Sequence, residues 1–486
     1  MIVDRSPRAG PYTPGQPGFD DSSDPLVPMD PTPSHRLPSF ARLRSGALLT
    51  AALAWLALPA GAAAQEEAAA SDAAGLHERV DAAVQRVTDG IVEIRHEIHA
   101  NPELGNREDD TAELVAERLR SLGYDRVETG VAHTGVVALL EGGEPGPVVA
   151  VRADMDALPV KERTDLSFAS GDSATWNGQQ VPVMHACGHD VHTSVGLGVA
   201  EVLAGMREEL PGTVKMIFQP AEEGPPEGER GGADLMRDRG VLENPRPGAI
   251  FALHAFPDME VGEVGWNAGP SLAAVDHFYV TVEGEQSHGA YPHLGVDPVV
   301  MASQAVTALQ TLRSRNTNPL EPSVVTVGMI HGGERFNIIP EQVKLEGTVR
   351  TYSDSTRDRI ERRMEEVLAG ITEAGGGDYE LRYDRVTPAT INDASLATGA
   401  ADLWERTLEG VEVEEVPPVM GGEDFAYFSR EVPGFYFRLG TTDPEHGSGG
   451  LHTPTFRASD EAVPVGIRAM SHLVVGYLTG QVEPGS

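Results

Sequence analysis

The strongest constraint on the fold is the alternation of short apolar runs with helical segments between residues 76 and 256. The run "PVVAVRAD" (147–154) is almost continuously apolar, which is typical of a strand buried on both faces of a parallel sheet. The segments "GTVKMIFQPAEEG" and "GAIFALHAF" read as similar strands, and "HTSVGLGVAEVLAGM" reads as a helix. This order predicts an α/β fold with a mixed, mostly parallel sheet and helices on both faces.

The middle of the chain follows a different order. From "HFYVTVEGE" to "DYELRYDRV" the pattern is strand, helix, two strands, helix and strand. That βαββαβ order is the ferredoxin-like unit, and it predicts an inserted domain over residues 275–386. The first pattern resumes afterwards with the helix "LATGAADLWERTLEG" and the strand "GFYFRLG". The main domain is therefore predicted in two parts, 76–274 and 387–486.

The N-terminal segment predicts export rather than folded structure. Residues 1–38 are rich in Pro, Asp and Ser, and Arg36, Arg42 and Arg44 lie just before the apolar stretch "GALLTAALAWLAL". With the following "PAGAAAQEE", this order predicts a disordered extension and signal peptide over 1–64, cleaved after Ala64, and a periplasmic or secreted protein. Met29 is an alternative start. An uncleaved membrane anchor is the other interpretation, although the run is shorter than the roughly 20 residues of a spanning helix. Residues 65–75 form an Ala/Glu-rich linker.

The charge of the chain restricts its partners. The formal net charge is -37, and only three lysines occur. Such an acidic surface repels nucleic acid and anionic membranes, so neither is expected as a partner once the signal is removed. The 486 residues fit more than one domain.

The only cysteine of the chain, Cys187, lies in "MHACGHDVHTS". A single cysteine cannot form an intramolecular disulfide. It is either a small buried apolar residue or a metal ligand. His189 follows two residues later, on the loop before a helix. Thiolate, imidazole and carboxylate groups together suit zinc, and after it manganese, cobalt or nickel.

Two adjacent acids, Glu222 and Glu223, end the predicted strand "GTVKMIFQPAEEG". Neighbours in an extended segment point to opposite sides. One can therefore bind a metal ion while the other accepts a proton from a metal-activated water, which is the division that metal-dependent hydrolysis requires. The alternative is a solvated acidic turn.

Four further residues follow predicted strands or precede helices. His254 ends an apolar run and His452 follows a Gly-rich loop, although a lone histidine is more often a packing residue. Asp154 and Asp156 follow "PVVAVR" and either orient a ligand histidine or cap the turn. Because sites in such sheets gather at the carboxyl ends of the strands, the joint placement of these groups predicts a metal site.

Eight motifs in this order resemble one enzyme family. They are "RHEIHANPELG", "RADMDALP", "MHACGHDVHT", "QPAEEG", "LHAFP", "SHGAYPHLGVDPV", "FNIIPE" and "GGEDFAYF". They resemble the amidohydrolase branch of the aminoacylase-type di-metal peptidases, which includes hippurate hydrolases and the plant indole-acetyl-amino-acid hydrolases. The resemblance covers about residues 90–475 and implies the zinc-peptidase fold.

The resemblance implies a role for each residue of the metal site. Two divalent ions, zinc or manganese with cobalt or nickel possible, would be joined by Cys187. The other implied ligands are His189, Glu223, His254 and His452. Glu222 would be the general base and acid, and Asp156 a carboxylate behind the ligands. Asp154 stands where the wider superfamily carries a ligand histidine, so the first metal position lacks that histidine here.

The resemblance also gives the inserted domain a role. Residues 275–386 would form a lid and dimerisation domain on a catalytic domain made of the other two parts. His288 would reach the active site of a partner subunit and stabilise the oxyanion, although it could equally cap a turn. Asn337 and Arg350 would hold the substrate carboxylate.

The implied activity is hydrolysis of the amide bond of N-acyl amino acids by an exported, homodimeric, metal-dependent amidohydrolase. A metallo-carboxypeptidase or dipeptidase of the same superfamily is the first alternative. A metal- or peptide-binding protein without turnover is the second, and Glu222 argues against it, because a binding protein needs no second acid beside its ligand.

Overall fold

The computed structural model describes residues 60–485. The helices are, in chain order, α1 (Ala60–Ala100), α2 (Asp109–Ser121), α3 (His189–Ala204), α4 (Gly232–Asp238), α5 (Pro298–Thr311), α6 (Asp354–Gly375), α7 (Ala394–Thr407), α8 (Ala426–Ser429) and α9 (Ala462–Leu478). The strands are β1 (Arg126–Val131), β2 (Gly135–Glu141), β3 (Glu144–Asp154), β4 (Ser173–Trp176), β5 (Gln179–Pro182), β6 (Pro211–Gln219), β7 (Ala249–Glu260), β8 (Glu263–Trp266), β9 (Gly269–Leu272), β10 (Ala274–Glu283), β11 (Ser287–His288), β12 (Ser323–Gly332), β13 (Ile338–Ile339), β14 (Gln342–Thr351), β15 (Asp378–Thr387), β16 (Thr390–Asn392), β17 (Glu412–Glu415) and β18 (Gly434–Thr442).

Eight strands form the main sheet, in the order β1-β2-β6-β3-β7-β18-β8-β17. The central strands β6, β3, β7 and β18 are parallel to one another, whereas β1 and β2 join one side in antiparallel pairs. The mixed, mostly parallel sheet predicted from the sequence is confirmed. The central strands are apolar on both sides because both faces of the sheet are covered.

Side chains alternate between the two faces of the sheet, as the period of two along a strand requires. On β3, Val149 and Val151 pack into the core under α1, α3, α7 and α9, while Ala150 packs into a smaller core with α4 and α8. Helices therefore lie on both faces, as predicted.

Helix α1 is longer than the sequence pattern indicates. It includes residues 65–75, which were expected to be a linker. Alanine and glutamate have high helix propensity, so this composition suits a helix as well as a linker. The extension and the apolar part of the export signal lie outside the described residues, and export stays a prediction. Within residues 60–485, no helix is long and apolar enough to cross a membrane.

The βαββαβ order of the middle segment is present in the structure. Strands β10, β12, β14 and β15 form an antiparallel sheet in the order β12-β14-β10-β15. Helices α5 and α6 share one apolar core with this sheet. This strand order is that of a ferredoxin-like unit, with the first strand beside the third and the fourth strand at one edge.

Candidate metal centre

The carboxyl ends of three neighbouring parallel strands bring the predicted residues together. Asp154 is the last residue of β3, Glu222 and Glu223 follow β6, and His254 lies on β7. Helix α3 begins beside them at His189. In an open α/β sheet this edge is where ligands bind.

Cys187 lies at the centre of the cluster. Its Sγ is 3.3 Å from Nε2 of His254 and 3.3 Å from Nε2 of His452. Five groups of side chains offer ligand atoms that lie within 4.8 Å of one another, and two of these groups contain Cys187. The first adds His189 and His254, and the second adds Glu223 and His452. All five predicted ligands are therefore brought together by the fold.

The loop before α3 is shaped by Gly188. Its φ of 86° is in the left-handed region that glycine adopts without strain. A Cβ at this position would lie 2.8 Å from Cβ of Ala255, next to His254. Glycine therefore lets the loop carrying Cys187 approach the strand carrying His254.

The donor set suits a divalent cation. Burial and the charges of Glu223 and Glu222 raise the pKa of the Cys187 thiol well above its usual range. The side chains of this cluster alone therefore disfavour a thiolate, and a bound cation would supply the charge that stabilises it. Nε2 of His189 is buried and lacks a hydrogen-bond partner within the described part of the chain, as expected for a nitrogen that faces a metal ion.

Asp156 positions residues of the cluster through hydrogen bonds and a close contact. Its carboxylate accepts hydrogen bonds from the backbone N–H groups of Glu222 and Glu223, both at 3.0 Å. Oδ1 of Asp156 also lies 3.3 Å from Nδ1 of His189, so the other ring nitrogen of His189 is directed into the cluster. Carboxylates commonly orient ligand histidines in this way.

The two adjacent acids point to different partners. Oε1 of Glu223 is 2.8 Å from Nε2 of His452. Although burial opposes it, contact with His452 and the charge of His189 lower the pKa of Glu223. Glu222 instead lies beside Glu423 and Asp424, with Oε2 at 3.9 Å from Nε2 of His189.

The pKa of Glu222 moves in the opposite direction. Burial and the neighbouring carboxylates of Glu423, Glu223 and Asp424 raise it well above its usual range. Glu222 therefore has the higher proton affinity of the two adjacent acids, which suits a group that accepts and returns a proton.

The carboxylate of Asp154 is in contact with other side chains of the same chain. Its Oδ2 is 2.6 Å from Nη1 of Arg152, and its Oδ1 is 2.5 Å from Nδ1 of His192. Oδ2 therefore has an ion-pair partner and Oδ1 a hydrogen-bond partner within the chain. The distance from Oδ2 to Nε2 of His189 is 3.9 Å.

Of the residues predicted on the inserted domain, one lies in the cleft at the metal centre and two lie outside it. Arg350 on β14 is half-buried and lines a cleft of about 880 Å³ together with Cys187, Glu222 and His452. His288 and Asn337 do not line this cleft. Within the chain, Nδ1 of His288 accepts a hydrogen bond from the backbone N–H of Ala290 at 3.0 Å, which is the turn-capping role left open by the sequence.

Sequence reasoning missed a buried network beneath the cluster. Arg152 is fully buried and reaches Glu423 at 2.9 Å and Asp424 at 3.1 Å, besides Asp154. Tyr436 donates a hydrogen bond from its hydroxyl to Glu423 at 2.6 Å. The signals were an arginine inside an otherwise apolar strand and two acids in "GGEDFAYF". A buried charge without a visible partner indicates a partner elsewhere in the fold.

Fold and site together define a metal-dependent hydrolase. A mixed α/β sheet carries thiol, imidazole and carboxylate ligands at its carboxyl edge, with a further carboxylate of raised pKa beside them. Residues 150–475 match the model of peptidase family M20/M25/M40, and the chain belongs to this family.

Relatives with different named activities match most of the chain. N-acetylcysteine deacetylase of Bacillus subtilis (strain 168) is 36% identical over 79% of this chain and 96% of its own length. Thermostable carboxypeptidase 2 of Saccharolobus solfataricus is 35% identical over 83% of this chain and 99% of its own. A crystal structure of a dinuclear metal-binding M20 peptidase from Bacillus subtilis has a TM-score of 0.69 and 33% identity, covering 81% of this chain and 99% of that one. The family assignment made from the motifs is thus confirmed.

Proposed function

We propose that the protein hydrolyses the amide bond of N-acyl amino acids with two bound divalent cations. The observation that carries this proposal is the position of Arg350, a half-buried cation in the same cleft as the two metal-binding groups. One cleft can thus receive a substrate carboxylate and place the adjacent amide near the metal centre.

Cys187 would be shared by both cations, with His189 and His254 on one side and Glu223 and His452 on the other. When bound, the cations supply Lewis acidity, which polarises a carbonyl and lowers the pKa of water. Zinc or manganese suits these ligands, and cobalt or nickel is also compatible.

Glu222 would act as the general base and then the general acid. It lies within ligand distance of His189 and Glu223 but belongs to neither group that contains Cys187. Its raised pKa favours taking the proton from water and giving it to the leaving amine. Asp156 would hold the backbone of both acids so that their side chains keep separate directions.

The walls of the cleft suit an N-acyl amino acid. Arg350 would bind the α-carboxylate, because a guanidinium presents paired donors to a carboxylate. Burial lowers the pKa of Arg350, and this burial strengthens an ion pair with a bound anion. The cleft also has apolar walls for an acyl group, formed by Phe256, Leu272, Val275, Val386, Val419 and Leu451.

The βαββαβ segment would serve as a lid and dimerisation domain. His288 and Asn337 lie on this segment but outside the cleft of their own chain. The segment exposes Val300 on α5, Ile330 on β12 and Phe336, which is 98% exposed. Exposed apolar side chains of this kind often mark a protein interface. In a homodimer, the partner subunit's His288 would donate a hydrogen bond to the substrate carbonyl oxygen as it gains charge.

Export would place the enzyme in the periplasm or outside the cell. This part of the proposal is supported by the basic, apolar and Ala-x-Ala order before Gln65. N-terminal sequencing of the protein from its native host is expected to give a start near Gln65. A soluble product that starts at Met1 or Met29 contradicts export.

The activity is tested with the protein from Gln65 onward and a panel of N-acetyl and N-benzoyl amino acids, after metal analysis. We expect about two metal ions per chain and hydrolysis that is lost with a chelator. The matched substrates are N-acyl amino acid amides, which lack the carboxylate. Arg350→Gln should raise KM for the acids and leave the poor turnover of the amides unchanged. If Arg350→Gln impairs hydrolysis of the acids and of the amides equally, the assigned role of Arg350 is contradicted.

A carboxypeptidase or dipeptidase activity is the alternative, favoured by the carboxypeptidase relative. The comparison is kcat/KM for N-acetyl amino acids against dipeptides and longer peptides that end in the same residue. A preference for peptides would replace the proposed substrate class but keep the metal chemistry. Bound metal without turnover of any substrate would indicate a binding protein.

A further inference from the structure

His192 is the third histidine of "MHACGHDVHTS", and its position suggests another metal ligand. It lies on α3 three residues after His189 and is 1% exposed. Its ring centroid is 5.2 Å from that of His189 and 4.7 Å from that of His254. Asp154, His189 and His192 also offer ligand atoms within 4.8 Å of one another.

The hydrogen bonds of His192 argue against metal binding. Its Nε2 accepts a hydrogen bond from the backbone N–H of Ala255 at 2.7 Å. Because Nε2 accepts, the ring proton is on Nδ1, which donates to Oδ1 of Asp154 at 2.5 Å. Both nitrogens are therefore in use, and neither has a lone pair left for a cation.

The partner of His192 is the backbone of Ala255, which also contacts the ring of His254. The N–H of Ala255 is held by His192, and the carbonyl of Ala255 accepts a hydrogen bond from Nδ1 of His254 at 2.7 Å. The second contact fixes the tautomer of His254 and leaves its Nε2 directed at Cys187. A shift of the Ala255 backbone would move both His254 and its hydrogen bond.

The position of His192 depends on Asp154, which is itself paired with Arg152. Oδ2 of Asp154 lies 2.6 Å from Nη1 of Arg152, and this ion pair keeps Oδ1 in place as the acceptor for Nδ1–H of His192. The hydroxyl of Thr193 also donates to the backbone oxygen of Asp154 at 2.7 Å. The first turn of α3 is thus fastened to the end of β3 at two points.

We infer that His192 is a positioning residue, which does not bind metal but fixes the Ala255 backbone and through it the ligand His254. This inference rests on the proposed metal-binding role of His254. It does not depend on which substrate the enzyme cleaves. It also explains why Asp154 and His192 lie beside a metal centre without completing it.

Two substitutions separate the contacts of His192. In His192→Asn the amide nitrogen matches Nδ1 and keeps the donation to Asp154, but the acceptor for Ala255 is lost. In His192→Gln the amide oxygen reaches the place of Nε2 and keeps the acceptor, while the donor is lost.

The affinity for Co²⁺ is measured by competition with a chelator. We expect His192→Asn to weaken one of two equivalents about 10–100-fold, in the range found for residues that orient ligands, and His192→Gln to weaken it less. If both variants bind Co²⁺ as tightly as the wild type, the inference is overturned.

Coordination itself is read from spectra, which need no substrate. The Co²⁺ d–d absorption at saturation should keep its intensity in both variants, because no ligand is removed. In wild-type protein loaded with ¹¹³Cd²⁺, NMR coupling should appear for His189, His254 and His452 but not for His192. This measurement decides the question even if a variant does not fold. Coupling to His192 would make it a ligand and overturn the inference. Failure to hydrolyse N-acyl amino acids would leave these metal readouts unchanged and would count only against the proposed activity.

Discussion

The backbone N–H of Glu222 donates to Oδ1 of Asp156 at 3.0 Å, and this bond determines how the two adjacent acids diverge. The N–H of Glu223 donates to the other oxygen of the same carboxylate. With both peptide units fixed, the side chain of Glu223 reaches His452, while that of Glu222 lies near Glu423 and Asp424. Adjacent residues of one type can therefore perform different tasks.

Glu222→Gln should abolish turnover and keep the metal. Glutamine retains the shape of the side chain but cannot take a proton from water. General acid–base groups contribute about 10²–10⁴-fold, and Glu222 would serve both attack and leaving-group protonation, so kcat should fall toward the upper end. Elemental analysis should give wild-type metal content.

Glu223→Gln is the matched control for this prediction, one residue away and with the same chemical change. It should lose metal, because a charged ligand becomes neutral. Metal loss in Glu222→Gln with retention in Glu223→Gln would reverse the two roles. Normal turnover in both variants would contradict a di-metal hydrolase.

Cys187→Ser should lose much of the bound metal and most of the activity. A hydroxyl is a far poorer ligand than a thiolate, and Cys187 belongs to both metal-binding groups. Cys187→Ala, which lacks any donor, should behave like the serine variant in elemental analysis. Full metal content in both would show that Cys187 is only a small buried residue.

The sequence predicted most of the main sheet because its central strands carry uninterrupted apolar runs. It also placed Glu223, His254 and Cys187 at one edge, since the carboxyl ends of parallel strands meet there. Short edge strands such as β1 and β17 were missed, because their polar residues lack a clear period. The bond between Arg152 and Glu423 joins residues 271 positions apart, so the arginine and the acid are visible separately in the sequence but their pairing is not.

The lid residues were predictable only through the family resemblance. His288 lies in a two-residue strand paired with β13, and no periodicity marks such an element. Its predicted function also depends on a second subunit. A complementation experiment therefore tests it more directly than further geometry.

Mixing inactive His288→Ala with inactive Glu222→Gln should restore part of the activity. If the partner subunit's His288 completes each site, a hybrid dimer has one site with both residues intact. Random exchange then gives half of the dimers one active site, so about a quarter of wild-type activity is expected. Subunit exchange is monitored by mass spectrometry of labelled chains. Exchange without recovery would mean that each subunit completes its own site.

A pair of buried histidines that connects α1 and α9 makes stability depend on pH. Nδ1 of His77 on α1 is 2.8 Å from Nδ1 of His472 on α9, and Nε2 of His472 is 3.2 Å from Asp81. Nε2 of His77 lies 3.0 Å from the side-chain amide of Gln481. If that amide donates, His77 donates to His472 and His472 to Asp81. This chain of bonds requires both histidines to be neutral.

The variant His77→Asn should be less stable than the wild type at neutral pH, and this difference in stability should shrink as the pH falls. Burial and the proximity of His472, offset in part by Gln481 and Asp81, lower the pKa of His77 from about 6.5 to about 4. A depressed histidine pKa contributes stability that is present above pH 6.5 and is lost as the pH falls toward 4, because the unfolded chain binds the proton first. Asparagine keeps an N–H donor for His472 and does not titrate, but it gives up the contact with Gln481, worth about 1 kcal/mol. At pH 7.5 the metal-free variant should thus unfold at a lower Tm than the wild type, and by pH 4.5 the difference should shrink or reverse. A Tm difference that is the same at both pH values would show that His77 is not the titrating group.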